Sequence, residues 1–480
     1  MIILFHGRLS GQDKLGEHVI TKNPSIILAD TQGCALPVHM EAWLNDLPDE
    51  VLAIITTLAD HGHGAWLVGG CVRDAWLGIS SDDVDLCTSC PPETMMSIFG
   101  EKAIPTGVQF GTVSIKGANT LYEVTTLRTE SLYADGRRPS QVAWGISLKE
   151  DLQRRDFTMN SMAVDVKLRQ LYDPHQGLTD LQHRTIRAVG RPIERCREDA
   201  LRIMRAYRFW GVDNPMEWKI ESDLHHALVL LRSSLDAIAV ERKWAELKKI
   251  LAGPRPGFVL QQLQDDGVLH HVIKGLRTVP SYQFRWLDRP PASSWERHHQ
   301  LAMLMRHHDR EDLAPVLKGL TVPKTTVQSA TSFFHRLGAV PEAGLDALRL
   351  YGHCMGRDAE AHVRVCQLGL EDSCYSSNFA PHVTTFLNGW HRWQPSTQTV
   401  PPLVDGRWLM QRTGLGSGVR LGRLLAWLHR LQIERNITEI SELERLLTTL
   451  PFVHGDPKSW PTVAFPSSAG TIFMTGQALG

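Results

Sequence analysis

The segment Asp82-Asp83-Val84-Asp85-Leu86 holds the residue types with the most specific chemistry in the chain. An Asp-x-Asp carried on a strand projects both carboxylates from one face, because side chains alternate with a period of two. Two adjacent oxygen ligands suit Mg²⁺, which takes one or two carboxylates and leaves the rest of its octahedron to water and phosphate. Two such ions clamp the attacking and leaving oxygens of a phosphoryl transfer. Standing alone, the pair would read as a solvated turn after Ser80-Ser81. Shortly before it, Gly69 and Gly70 end an apolar run and precede a helical stretch from Val72 to Leu77, and backbone N–H groups at such a helix start favour phosphate. Glu123, alternating with apolar neighbours in LYEVTTLR, reads either as a third carboxylate from a neighbouring strand or as an exposed strand residue.

These groups need a rigid scaffold. From about Leu44 to Gly62 apolar residues recur at helical spacing, and AWLVGG then reads as a buried strand running into the glycine pair. Strand-like runs follow at VDLCT, TVSIK, LYEVTTL and MAVDVKLRQLYD, separated by turn signals and by the helix-like PPETMMSIFG. The mixture predicts an α+β head over residues 40–183, one sheet with flanking helices. From Gly177 the pattern changes to amphipathic helices rich in Leu, Arg and His, with no clear strand until the last residues. An all-α neck (184–253), body (254–399) and tail (400–480) are expected, with proline clusters at 253–256, 289–291 and 400–402 as joints. Residues 1–39 lack such patterning and read as an irregular extension.

With 480 residues and 42% hydrophobic content, the chain can bury a sizeable core. Its formal charge of -1 means that a polyanionic partner must be held by local basic surfaces, not by the field of the whole molecule. Eight scattered cysteines suggest free thiols in a reducing compartment, so a cytoplasmic location is expected. No run of eighteen apolar residues and no secretory pattern at the start predict a protein that does not enter a membrane.

LVGGCVRDAWLG followed by DDVDLCT resembles motif A of the class II CCA-adding enzymes and bacterial poly(A) polymerases, a branch of the polymerase-β superfamily. IPTGVQFGTVSI, EVTTLRTESLYADGRRP, KEDLQRRDFTMNSMAVD, LYDPHQGLTDL and REDALRIMRAYRF look like the family's later motifs in the family's order, nearly continuous from about Trp66 to Phe209. The resemblance implies a polymerase-β-like head. It implies that Asp83 and Asp85 bind the Mg²⁺ that activates a tRNA 3′-hydroxyl and steadies the departing pyrophosphate. Gly70, Arg73 and Arg155 would lie at the nucleotide, with Arg154-Arg155-Asp156 reaching ribose and phosphate. Surface ion pairing is the alternative for Arg73 and Arg155.

Glu198-Asp199-x-x-Arg202 matches the family's protein template, on a helix expected to begin near Arg197 with Asp199, Arg202, Arg205 and Arg208 along one face. Asp only accepts hydrogen bonds and a guanidinium only donates, whereas cytosine and adenine each offer an amino donor beside a ring-nitrogen acceptor. Guanine and uracil reverse that order, and a buried polar group left unpaired costs roughly 1–3 kcal/mol. One Asp/Arg pair can therefore admit CTP and ATP. The bland alternative is a helix start whose acids complement the dipole.

The loop from Thr129 to Pro139 looks full length, as in relatives that switch from C to A, with Arg138 where some relatives have His. Thr106-Gly107-Val108-Gln109-Phe110-Gly111 looks like the tRNA-specific type. The expected function is CCA addition or repair at the tRNA 3′ end with CTP and ATP. An enzyme adding only the terminal A is the alternative, and a poly(A) polymerase or an inactive RNA-binding relative is weaker. The sequence does not give the oligomeric state. Cys87 and Cys90 have zinc-like spacing without a second ligand pair, and His298-His299 with His307-His308-Asp309 reads as body surface. Basic clusters at Arg184, Arg187, Arg191, Arg195 and Arg197, and at Arg412, Arg420, Arg423, Arg430 and Arg435, are candidate phosphate contacts.

Overall fold

The computed structural model describes residues 31–80, 83–130, 142–144, 147–212, 217–289, 295–309 and 311–464. The chain divides into two compact units, Met1–Arg202 with Glu217–Leu228, and Ile203–Met216 with Val229–Gly480. This division is coarser than the five segments expected.

The described part of the first unit is built on short strands, among them β1 (Gly33–Ala35), β2 (Ala65–Val68), β3 (Leu86–Thr88), β4 (Ala103–Gly107), β5 (Thr112–Lys116), β6 (Leu121–Thr126), β7 (Arg128–Glu130), β8 (Val142–Trp144), β9 (Ala163–Asp165) and β10 (Gln170–Tyr172). Eight of them form one sheet in the order β1-β10-β9-β2-β3-β6-β5-β4, and β7 and β8 make a separate hairpin pair. Every pairing in the large sheet is antiparallel except β3 with β6. β2 is buried along its whole length, which explains why it reads as an unbroken apolar run and not as an alternating one. Trp66, Val68, Cys87, Leu127, Leu148, Leu152, Ala163 and Tyr172 pack together as one core cluster. Sheet pairing begins at Gly33, inside the segment expected to be irregular, as β1 adds to the edge against β10.

The remaining helix of the 44–62 region runs Asp49–Asp60, with Val51, Ile54 and Leu58 buried at helical spacing. Its Glu50 reaches across to accept hydrogen bonds from Tyr122 and the Ala118 backbone. Beyond the large sheet the expectation of no further strand is corrected by a two-residue parallel pairing of Thr185–Ile186 with Lys219–Ile220.

The described part of the second unit is helical, as its 3.6-residue periodicity predicts. Lys324–Arg336, for instance, buries Val327, Ala330, Phe333 and Phe334 on one stripe. Gly257 permits close packing here: a Cβ on it would lie 1.9 Å from the Phe284 carbonyl oxygen, so only glycine fits. Asp288 closes the same junction by accepting the Gly257 and Phe258 N–H groups at the start of the helix Pro256–Asp265. Toward the C-terminus, Leu409, Leu421, Leu424, Leu428, Leu447 and Trp460 form their own cluster. Among the described residues no helix is long and apolar enough to cross a membrane.

Candidate active site

β2 ends at Gly69, whose φ of 76° places it in the left-handed region that favours glycine, and the helix Gly70–Leu77 starts at once. The turn is also crowded. A Cβ on Gly69 would sit 2.9 Å from an Arg155 guanidinium nitrogen and 3.9 Å from Asp85 Oδ2, and a Cβ on Gly70 would sit 3.7 Å from Arg73 Nη2. Gly70, Arg73, Asp85 and Arg155 thus converge on one turn. Asp83 is exposed and Asp85 half-buried, both on the segment that leads into β3; the strand begins only at Leu86, so the expected placement on the strand itself is corrected by a residue or more. The backbone of Asp85 still continues the pairing of β3 with β2, where its carbonyl accepts the Val68 N–H. Asp82 lies outside the described residues.

In the parallel pairing of β3 with β6, Leu86 stands opposite Val124, so the register carried back one residue sets Glu123 opposite Asp85. Glu123 is exposed. Asp83, Asp85 and Glu123 bring only carboxylate oxygens. The thiol of Cys71, with Sγ 3.9 Å from the Asp85 carbonyl, is pushed by burial up to about 11 and stays protonated. Hard oxygen donors without thiolate or imidazole fit a small, hard divalent cation and not zinc.

The Arg154-Arg155-Asp156 segment follows the helix Leu148–Gln153, which Ser147 caps by accepting the Glu150 N–H. Asp151, on that helix and buried, accepts Arg154 Nε and Nη2 at 2.9 and 2.6 Å and Arg155 Nη2 at 3.3 Å. Burial alone would raise its pKa, but the Arg154 and Arg155 guanidiniums outweigh burial and hold the carboxyl below the ordinary range. Arg155 Nε is buried with no hydrogen-bond partner among the described residues.

The template residues lie on two helices, not on one. Pro192–Glu198 ends, Asp199 is extended (φ -148°, ψ 102°), and a new helix runs Leu201–Trp210. The break has a local cause: Asp199 Oδ1 accepts the Leu201 N–H, offering the backbone an alternative to the helix ladder. Arg202, in the first turn, donates from Nη1 to Glu198 (2.9 Å) and the Arg195 carbonyl (3.1 Å), and from Nη2 to the Arg154 carbonyl (2.9 Å). Glu198 is shared, since its other oxygen meets Arg195 at 2.9 Å. Arg202 is therefore tied to the Arg-Arg-Asp segment. Arg205 and Arg208 belong to the second unit and share the buried Glu246, at 3.6 and 2.9 Å, with Arg208 also stacked over Phe209.

Other sequence signals resolve differently from expectation. His298 and His299 are core residues, not surface, and both direct Nε2 at Asp358 Oδ1, at 2.9 and 3.0 Å. These three form the one group of three or more His, Cys, Asp or Glu side chains among the described residues whose ligand atoms all lie within 4.8 Å of one another, so Asp83, Asp85 and Glu123 are not gathered that closely. His299 Nδ1, however, accepts the Glu296 N–H, which places its proton on Nε2 and leaves no lone pair there for a metal. Burial would raise the Asp358 pKa, yet hydrogen bonds from both imidazoles hold its carboxyl well below the usual carboxylate range. His308 is likewise buried and accepts the Arg277 N–H, and Asp309 pairs with Arg277. Cys87 and Cys90 are buried free thiols, both pushed up by burial.

Much of the basic charge is neutralised locally. Arg184 pairs with Glu217, Arg187 with Asp180 and Glu221, Arg191 with Glu194, Arg412 with Glu444 and Arg430 with Glu434. Arg420 donates to the Phe452, Val453 and Gly455 carbonyls. The loop expected over Thr129–Pro139, Arg138 included, falls almost wholly outside the described residues.

A mixed sheet presenting neighbouring carboxylates beside a glycine-opened helix and an Arg-Arg-Asp segment defines a nucleotidyltransferase head. Residues 65–187 match the Poly A polymerase head domain family, and residues 218–279 match the family described as the probable RNA and SrmB-binding site of polymerase A. The CCA-adding enzyme of Geobacillus kaustophilus (strain HTA426) is 37% identical over 299 residues, 61% of this chain and 71% of that relative. The CCA-adding enzyme of Streptococcus suis (strain 05ZYH33) is 46% identical over 211 residues, 43% of this chain and 51% of that relative. The crystal structure of the Bacillus stearothermophilus CCA-adding enzyme in complex with CTP superposes with a TM-score of 0.66 at 28% identity, covering 84% of this chain and 96% of that one. The Thermotoga maritima CCA-adding enzyme complexed with tRNA, 18% identical with a TM-score of 0.57 over 86% and 98% of the two chains, shares the fold. The chain belongs to the CCA-adding enzyme family.

The sequence reading passed over Asn160 and Asp151. Asn160 stands between the buried Met159 and Ser161 and Asp151 beside the buried Leu152, and that setting is the available signal.

Proposed function

We propose that this protein adds or repairs the 3′-terminal CCA of tRNA from CTP and ATP, choosing each nucleotide with Asp199 and Arg202 in place of a nucleic-acid template. The observation that carries the reading is the Arg202 hydrogen bond to the Arg154 carbonyl, which fastens Arg202 to the segment whose Arg155 abuts the Gly69 turn. In the reaction, the tRNA 3′-oxygen attacks the α-phosphorus of the nucleotide. A new phosphorus–oxygen bond forms, the α–β bridge breaks, pyrophosphate leaves, and the hydroxyl proton passes to solvent. Asp83 and Asp85 are the residues to hold Mg²⁺, with Glu123 as a third carboxylate beside them. When bound there, such an ion would supply positive charge for phosphoryl transfer. Gly70, Arg73 and Arg155 receive the triphosphate and ribose through backbone N–H groups and guanidiniums.

Arg202 spends both Nη1 hydrogens and one Nη2 hydrogen on Glu198 and two carbonyls, while Nε has no recorded partner among the described residues. That leaves the Nε–Nη2 edge as a fixed fork for a base, beside the acceptor Asp199. Arg205 and Arg208, candidates for the same face, act through Glu246 to hold the helix Leu201–Trp210 against the helix Val240–Ala252. The protein works in the cytoplasm, where its substrates are.

Nucleotide choice tests this. With a tRNA ending in CC, wild type is expected to incorporate AMP in strong preference to GMP and UMP. Arg202→Ala is expected to shrink that preference by about ten- to a hundredfold, since an unpaired polar edge no longer penalises the wrong base. An Arg202→Ala enzyme that is slower but equally selective would remove Arg202 from base selection.

A further inference from the structure

We propose that Asn160 positions Arg73 for the incoming triphosphate, an inference that rests on the nucleotide-site reading above. Asn160 lies in the turn Thr158–Asn160 and is buried. Its Oδ1 accepts Arg73 Nη1 at 2.6 Å, and its Nδ2 donates to Asp156 Oδ1 at 3.0 Å. Asp156 is itself fixed, because the same oxygen accepts the Phe157 N–H at 2.8 Å. On its other side the Arg73 guanidinium gives Nε and Nη2 to Asp74 Oδ1 at 2.9 and 2.7 Å. The plane of the guanidinium is therefore set from two directions, beside the Gly70 backbone at the start of the helix.

The chemistry of the bridge requires an amide. Arg73 only donates and ionised Asp156 only accepts, so the neutral side chain between them must present an oxygen to one and an N–H to the other. Asparagine does both, and its amide cannot flip without setting donor against donor and acceptor against acceptor. Aspartate at this position would keep the contact to Arg73 but face Asp156 carboxylate to carboxylate. Alanine would remove the Arg73 Nη1 contact and with it the constraint from this side. An arginine held in place loses less side-chain entropy when a triphosphate binds, so the effect falls on nucleotide affinity and not on the chemical step.

The test is a double-mutant cycle of Arg73→Ala and Asn160→Ala, read as the CTP dissociation constant by equilibrium dialysis and as kcat and KM for CMP addition. Asn160→Ala is expected to weaken CTP about tenfold, as for a lost hydrogen bond to a charged group, with kcat within about threefold. In an Arg73→Ala background the same substitution is expected to add almost nothing. Asn160→Leu, which nearly keeps the side-chain volume and cannot accept from Arg73, repeats the cycle if the alanine variant does not fold, with the same expected coupling. An equal loss in the presence and absence of Arg73, or a fall in kcat at unchanged CTP affinity, would overturn the proposal. A wild type that binds CTP but shows an additive cycle defeats the relay alone, whereas a wild type that binds no CTP defeats the nucleotide-site reading itself.

Discussion

Asp83→Ala is expected to lower nucleotidyl transfer at least about a thousandfold, equivalent to about 4 kcal/mol of lost transition-state stabilisation, while tRNA binding stays within a few-fold of wild type. The separation follows from where the residue sits. Asp83 is exposed, so truncating it removes no packing. What it removes, on the function proposed above, is one of the two carboxylates, Asp83 and Asp85, that would hold the divalent cation. Loss of one of two neighbouring carboxylates leaves too few hard ligands to hold a divalent cation against water. Single-turnover extension and filter binding of the same tRNA check both halves of the statement. An Asp83→Ala protein retaining a tenth or more of the wild-type rate would take Asp83 out of the chemistry.

The largest effect on stability is expected from Asp151→Asn. Asp151 is 1% exposed and faces two guanidiniums, so neutralising it removes the buried carboxylate that both arginines share and turns an amide N–H toward them. Breaking a buried pair by removing one partner costs about 3–5 kcal/mol, which urea unfolding would register as a large fall in midpoint. The sign of the pH dependence follows from the depressed carboxyl. A carboxylate held below its unfolded value contributes stability that is fully present above about pH 4 and is lost as pH falls through the folded value. Wild type should therefore lose more stability than Asp151→Asn below about pH 4. Parallel acid profiles for the two proteins would mean that the carboxylate is not ion-paired in solution. Transfer activity should fall as well, since Arg155 takes its orientation from Asp151.

The strands β2, β3, β5, β6 and the β9–β10 run, together with the glycine turn, were legible because their signals are local, whereas β4, β7 and β8 were not read as strands. An unbroken apolar run, a glycine pair and a helical pattern follow one another within the span from Ala65 to Leu77, and the structure places β2, the left-handed Gly69 and the helix in that order. The alternation in LYEVTTL likewise gave β6 and the exposed face of Glu123. Legibility ended where the deciding partner is distant in sequence. Nothing near Arg205 and Arg208 announces Glu246, and nothing near His298 and His299 announces Asp358, so these residues were assigned to a binding face and to the surface. The break at Asp199 was missed for another reason: a helix-phased row of Asp and Arg is the same pattern whether the Asp sits inside a helix or caps the next one. β1 is three residues long and takes its strand character from pairing with β10, so its own sequence carries too little periodicity to declare it.

The central claim is that one unassisted site reads out C, C and A in turn. The measurement that tests it most directly offers the protein three tRNA transcripts, ending before CCA, after C and after CC, with Mg²⁺ and CTP, ATP or both. Extension of all three to a complete CCA end, with CTP alone stopping at CC, is the predicted result. Extension of only the CC-ended transcript would contradict it in favour of terminal A addition, long adenylate tails would indicate a poly(A) polymerase, and no extension at all would leave an RNA-binding protein that keeps the fold without the reaction.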